Sequence, residues 1–239
     1  DGDRESLARL DRRLQAAVEG EDALARRAAR RELGRLLEGQ ADDAFDGRLH
    51  ALACLLADAA LRSETAETLA EIARRHGPRA GVVAEAVLVL ASDREPRTRA
   101  AALRYAGHSG QEDRCEVLID ALGSKAPGVS EAAEEGLLAL GPDVAQALLV
   151  GHAFGRRSAR GAILSVLKQL DVDHQQVGEL FQRQIESLQD GVARLYGLAQ
   201  DSTDRLVVER LGERLDEGIR AALLFLSVLE NDSRIADLE

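Results

Sequence analysis

An all-α solenoid of stacked antiparallel helical hairpins is the fold this sequence predicts. Three observations carry that expectation: apolar residues recur at helical spacing almost from end to end, glycines fall where those runs stop, and a hairpin-sized pattern returns after 34 residues. No segment alternates with the period of two that a half-buried strand requires. The punctuation divides the 239 residues into about fourteen helices.

Taken in order, Leu7, Leu10, Leu14 and Val18 line the first helix, Leu24, Ala28, Leu36 and Leu37 the second, and Leu49, Leu52, Leu56 and Ala60 the third. Gly20, Gly39, Gly77, Gly107, Gly123 and Gly141 stand where the runs end, as a left-handed residue after a helix would. Starts are marked by Ser63 before Glu64–His76, by Pro96 in a first turn, and by Pro142 directly after Gly141. The β-branched run from Val82 to Leu90 tempts a strand assignment. Its Ala84, Glu85 and Ala86, with the 83/86/87/90 spacing, predict a buried helix instead.

The repeat emerges when Arg97–Gly107 is laid over Glu131–Gly141, with Cys115–Leu122 as the partner helix between them. Related segments begin at Arg160 and Arg220. Each hairpin then leaves an apolar face that only a neighbouring hairpin covers, which is the physical basis of a solenoid.

The stretch from Asp93 to Gly141 resembles HEAT repeats, whose units carry an Asp before a Pro-containing turn and an Arg early in the second helix. Asp93, Pro96 and Arg99 match that pattern. The resemblance implies that Asp93 and Arg99 bridge neighbouring units as scaffold. The following unit has Pro127 and Ala133 at those positions, so the ladder is expected to break there. Further on, Val177, Phe181, Gln184, Leu188, Val192, Leu195 and Ala199 hold one 3/4 spacing, predicting a long helix over 173–200. That segment and the apolar runs to Leu229 resemble the end of HEAT regions fused to bacterial membrane carriers of the nucleotide-translocase or major-facilitator type, some of which also carry a cyclic-nucleotide module. The likeness spans residues 80–235 and implies a cytosolic accessory domain. One elongated domain over 1–239 is therefore expected, with divergent hairpins in 1–78, HEAT-like units in 79–170, and a long helix and cap in 171–239. The chain starts at Asp1 and contains no Met, which suggests excision from a longer protein.

Composition narrows function. The net charge is −11, with 45% apolar, 31% charged and 3% aromatic residues, and all cations but Lys125 and Lys168 are arginine. Residues 1–120 carry 19 basic and 23 acidic side chains, and 121–239 carry 12 and 19. Neither half suits phosphate neutralisation, so no nucleic-acid partner is expected. Cys54 and Cys115, 61 residues apart without a C-x-x-C, read as reduced, packed thiols. Ala86–Ser92, the most membrane-like stretch, falls far short of the roughly 20 apolar residues of a span. Direct membrane insertion is not expected.

Chemistry is sparse. His50, His76, His108, His152 and His174 occupy separate helices, and no zincin, phosphate-loop or nucleophile-elbow motif occurs. Asp171, Asp173 and His174 are the one cluster with metal or proton chemistry within reach, yet Asp173 as helix cap with Asp171 near the positive N-terminus explains them more simply. No cofactor is predicted. Asp42, Asp43 and Asp46 lack the ligand spacing of a calcium loop and read as helix starts.

Two basic features remain. Arg27, Arg31 and Arg35 form a stripe at i, i+4 and i+8, with Arg26 and Arg30 beside them, opposite Leu33, Leu36 and Leu37. The plain reading is a solvated face paired with Glu19, Glu21, Asp22 and Glu38. Arg156, Arg157 and Arg160 sit at a helix start, where positive charge opposes the dipole and points to an anionic partner. The function expected is a non-catalytic scaffold for a protein partner or another domain of the same chain, and the resemblance to carrier-fused HEAT regions implies a regulatory or accessory role on a membrane carrier. A HEAT-like DNA glycosylase is the alternative, and it would want the aromatics and positive field this chain lacks. Oligomeric state is open.

Overall fold

The computed structural model describes residues 2–39, 41–154 and 157–170. Among them are ten α-helices joined by turns and short 3-10 stretches, and no strand. The chain divides into two compact units at the Leu140/Gly141 junction. The sequence-predicted long helix over 173–200 lies outside the described residues.

In the first unit, α1 (Gly2–Glu19) pairs with α2 (Ala23–Leu37), α3 (Phe45–Cys54) with α4 (Arg62–His76), and α7 (Cys115–Ala121) with α8 (Val129–Leu140). The third hairpin sets α6 (Pro96–His108) against a composite arm of two 3-10 stretches, Gly77–Val83 and Val89–Ser92, around the short α5 (Ala84–Leu88). Second helices stack in succession, α2 on α4, α4 on α6 and α6 on α8, while α1, α3 and the composite arm form the other layer. This is the predicted solenoid plan of stacked hairpins. A continuous apolar core runs from Leu14 to Tyr105, with Leu33, Leu49, Leu52, Leu69 and Ile72 essentially sealed from solvent. Sealing one such side chain is worth roughly 1.5–3 kcal/mol.

Several local readings change. Leu24 and Ala28 face solvent, and α2 buries Ala29, Leu33 and Leu37, because the row adjacent to the predicted one meets α1 and α3. The 82–90 run is helical but irregular. It buries Val83, Val87 and Leu90 and leaves Ala86 and Val89 outside. Helix α4 begins at Arg62 rather than after Ser63, since Asp58 forms the turn that launches it. Cys54 is exposed, and neither cysteine is oxidised to a disulfide.

Gly107 differs most. It lies inside α6, not after it, and the left-handed residue that ends that helix is Gly110, at φ 70°. A Cβ on Gly107 would stand 2.2 Å from the Cα and carbonyl oxygen of Gly136 in α8, so the glycine allows the two backbones to touch. Gly77 and Gly141 do take the left-handed conformation, at φ 59° and 81°. In the second unit, α9 (Ala145–Phe154) packs on α10 (Arg160–Gln169), burying Leu148, Ile163 and Val166.

Candidate interaction surface

The hairpin turns of the first unit place charge in register. Asp22 Oδ1 accepts the Leu24 amide at 2.9 Å, Asp58 Oδ1 the Ala60 amide at 2.9 Å, and Asp93 Oδ1 the Glu95 amide at 2.9 Å. This is the Asx turn, in which a short carboxylate caps the backbone two residues on. Four residues after each aspartate stands an arginine: Arg26, Arg62 and Arg97. Arg26 reaches Asp58 of the next turn at 3.2 Å, and Arg62 reaches Asp93 at 3.2 Å, so the same contact repeats from hairpin to hairpin. The amide of Glu95 and then Arg62 hold the Asp93 carboxyl below the usual range, against a smaller opposing effect of burial.

The expected Asp93–Arg99 ladder is thereby revised. Asp93 does bridge to the preceding hairpin, but its partner is Arg62. Arg99 donates to the carbonyl oxygens of Asp93, at 2.7 Å, and Arg94, at 3.1 Å, tying its own turn together. Pro96 occupies the first turn of α6 as predicted. In the following turn Ser124 stands where the aspartate stood, its Oγ accepting the Ala126 amide at 3.2 Å. Ser124 offers Arg97 no carboxylate, and Arg97 turns back to Glu67 on α4. The D-x-x-x-R spacing at 22, 58 and 93 is the signal in the sequence that marks this relay.

Beyond the turns, the solvent face of the second helices alternates in sign. Arg30 of α2 meets Glu64 of α4 at 2.7 Å and Thr68 at 3.1 Å; Arg97 of α6 meets Glu67 of α4; Arg104 of α6 meets Glu135 of α8 at 2.7 Å. Burial alone would raise Glu135, and the hydrogen bonds from Arg104 and His108 overcome it and leave the carboxyl below its ordinary value. On α4, Arg74 and then Arg75 hold Glu71 at about 2 against a raising effect of burial. Exposed pairs of this kind contribute about 0–1 kcal/mol each, so they set register more than stability.

The predicted arginine stripe divides against this background. Arg26 and Arg30 are engaged by Asp58 and Glu64, not by the Glu19, Glu21, Asp22 and Glu38 carboxylates; Arg26 also touches the Glu21 backbone oxygen at 3.4 Å, and Glu38 meets Arg75 at 3.8 Å. Arg35 is exposed and bonded to Glu32 within its own helix at 2.7 Å. Arg27 and Arg31 are exposed, with no hydrogen bond or ion pair to any described residue. In the second unit Arg160 opens α10 with a buried Nε that has no hydrogen-bond partner, and Arg157 lies in the 3-10 stretch before it. Arg156, Asp171, Asp173 and His174 lie outside the described residues.

One cleft of about 330 Å³ opens among α1, α2 and α3, lined by Asp11, Gln15, Leu33, Asp43 and Arg48. Arg48, only 6% exposed, donates from Nε and Nη2 to Asp11 at 2.7 and 3.1 Å and from Nη1 to Asp42 at 2.9 Å. Those bonds, Asp11 foremost and against burial, raise its pKa further and neutralise the cleft floor. It is a strut between the first two hairpins. Among the described residues no three His, Cys, Asp or Glu side chains gather as metal ligands.

Comparison with known proteins agrees with the plan. A family model for HEAT repeats matches residues 46–138. The crystal structure of an engineered protein, a target of the Northeast Structural Genomics Consortium, superposes with a TM-score of 0.50 at 18% identity, covering 90% of this chain and 97% of its own. No curated protein matches. Neither match names a membrane carrier. Among the described residues no helix is long and apolar enough to cross a membrane. Sequence, hairpin stacking and the family match make the described residues all-α with HEAT-like helical repeats, and HEAT repeats generally serve as protein-interaction scaffolds.

Proposed function

We propose that this chain is a non-catalytic scaffold, docking a protein partner or another domain of its own chain on the solvent face of its second helices. One observation supports the reading above others: the charged groups of that face are engaged with one another across four successive helices, and the cleft floor is already neutralised. An extended, preorganised surface suits contact; turnover wants polar groups converging on one point. Arg27, Arg31 and Arg35 in the first unit and Arg156, Arg157 and Arg160 in the second are the contact residues we put forward. The C-terminal sequence likeness supports a cytosolic accessory or regulatory role on a membrane carrier.

Photo-crosslinking tests the scaffold reading. Probes placed singly along α2, α4, α6 and α8 of the full chain, in the cell that makes it, should capture one discrete partner from adjacent positions. Uniform background capture from every position would sink the reading. A duplex-DNA titration at low salt separates the glycosylase alternative, for which binding would count.

A further inference from the structure

The arginines of α2 split into a row that is answered and a row that is not. Arg26 and Arg30, four apart, meet carboxylates of the next hairpin. Arg27 and Arg31, four apart and one position around the helix, meet none. On the same face Leu24 is 75% exposed and Ala28 is exposed, while Ala29, Leu33 and Leu37 are buried behind them. A large apolar side chain flanked by two unanswered guanidinium groups is a combination no other second helix of the unit presents. Arg97 and Arg104 of α6 are both taken by α4 and α8.

We infer that the solvent face of α2, centred on Leu24, Arg27, Ala28 and Arg31, docks an acidic amphipathic helix of a partner protein. This rests on the scaffold reading above and names the partner's chemistry. The occupant follows from charge complementarity, since Arg26, Arg30 and Arg104 are each answered by carboxylates that the neighbouring hairpin supplies. Glu64 and Glu67 of α4, three residues apart, show the spacing such a helix offers. Its apolar residue would cover Leu24 and Ala28, and its carboxylates would take Arg27 and Arg31 as fork-shaped donors. Polyanions fit less well, because two free guanidinium groups on a chain of net charge −11 neutralise little phosphate and carry no use for Leu24.

The test uses the full chain and a stapled helical peptide bearing Glu at i, i+3 and i+7 beside two leucines, with a twin in which Gln replaces each Glu. Fluorescence anisotropy at 50 mM salt should show the Glu peptide binding at least tenfold tighter than the Gln twin. Arg27→Glu with Arg31→Glu should remove that binding, Leu24→Ala should weaken it about fivefold, and Arg94→Glu, an exposed control, should leave it unchanged. Circular dichroism checks that each variant stays folded. Equal affinity for both peptides, no binding of either, or indifference to the double reversal overturns the inference. So does loss on double reversal of binding to phosphatidylserine vesicles or duplex DNA without any peptide binding, which would assign the face to a polyanion. Specific photo-crosslinks from α4, α6 or α8 alongside such a failure would leave the scaffold reading standing and this one refuted.

Discussion

The joint between the second and third hairpins and the joint between the third and fourth are held by different physics. At the first, Arg62 reaches Asp93 across the turn and Arg97 reaches back to Glu67. At the second the turn carries Ser124, no carboxylate is available there, and α6 and α8 meet backbone to backbone at Gly107 and Gly136. Where the relay between turns stops, close approach joins the Arg104–Glu135 pair that links the same two helices. Stacked repeats need a covered apolar face, and either device sets the spacing at which the cover fits.

Breaking the glycine joint should have the largest effect. Gly107→Ala places a methyl group inside α8, and the helices must part along a buried seam; we expect a loss of about 3 kcal/mol, or roughly 6–12 °C in the Tm of the first unit. Thermal unfolding followed by circular dichroism measures it, and a shift under 2 °C would show that the contact is slack. Next comes the strut between the first and second hairpins. Asp11→Ala leaves the buried Arg48 with Asp42 alone and should cost about 2 kcal/mol, while Arg48→Met in the same background should recover part of the loss. If the single variant matches wild type in urea, the strut is ornamental.

The relay and the ion pairs of the helix faces are smaller and depend on pH. Asp93, Glu71 and Glu135 have pKa values lowered in the folded chain, so protonation favours the unfolded state. Their contribution is fully present above the ordinary carboxylate range and is lost as pH falls from roughly 4.5 towards 2. Stability measured across that window should drop, and Asp93→Asn should flatten the drop at a cost of about 0.5–1 kcal/mol at pH 7. A variant with the same acid profile as wild type would remove Asp93 from the relay. Smallest is the repair. Ser124→Asp restores the missing carboxylate, improves the Asx turn and offers Arg97 a second partner, for a gain of about 0.5 kcal/mol. A loss of Tm instead would mean that the two joints are not interchangeable.

Much of this was legible beforehand. The 3/4 periodicity specified helices because one face of each must leave water, and Leu14, Val18, Leu49, Leu52 and Leu56 are buried where that argument put them. Leu24 was misassigned to the core. Two adjacent apolar rows on α2 satisfy the same period, and only contact with α1 and α3 selects one. The arginine stripe was visible as a stripe, but its division into answered and unanswered rows depends on where Asp58 and Glu64 stand.

By itself, then, the order of residues determined the helical hairpin and its approximate period, because amphipathicity and turn chemistry act over a few residues. The partner of Asp93, the backbone contact at Gly107 and the solvent exposure of Leu24 were decided by tertiary structure alone. The first two are relations between residues about thirty positions apart and the third depends on which row of α2 meets α1 and α3, and a periodic pattern carries no record of which neighbour a repeat unit will meet.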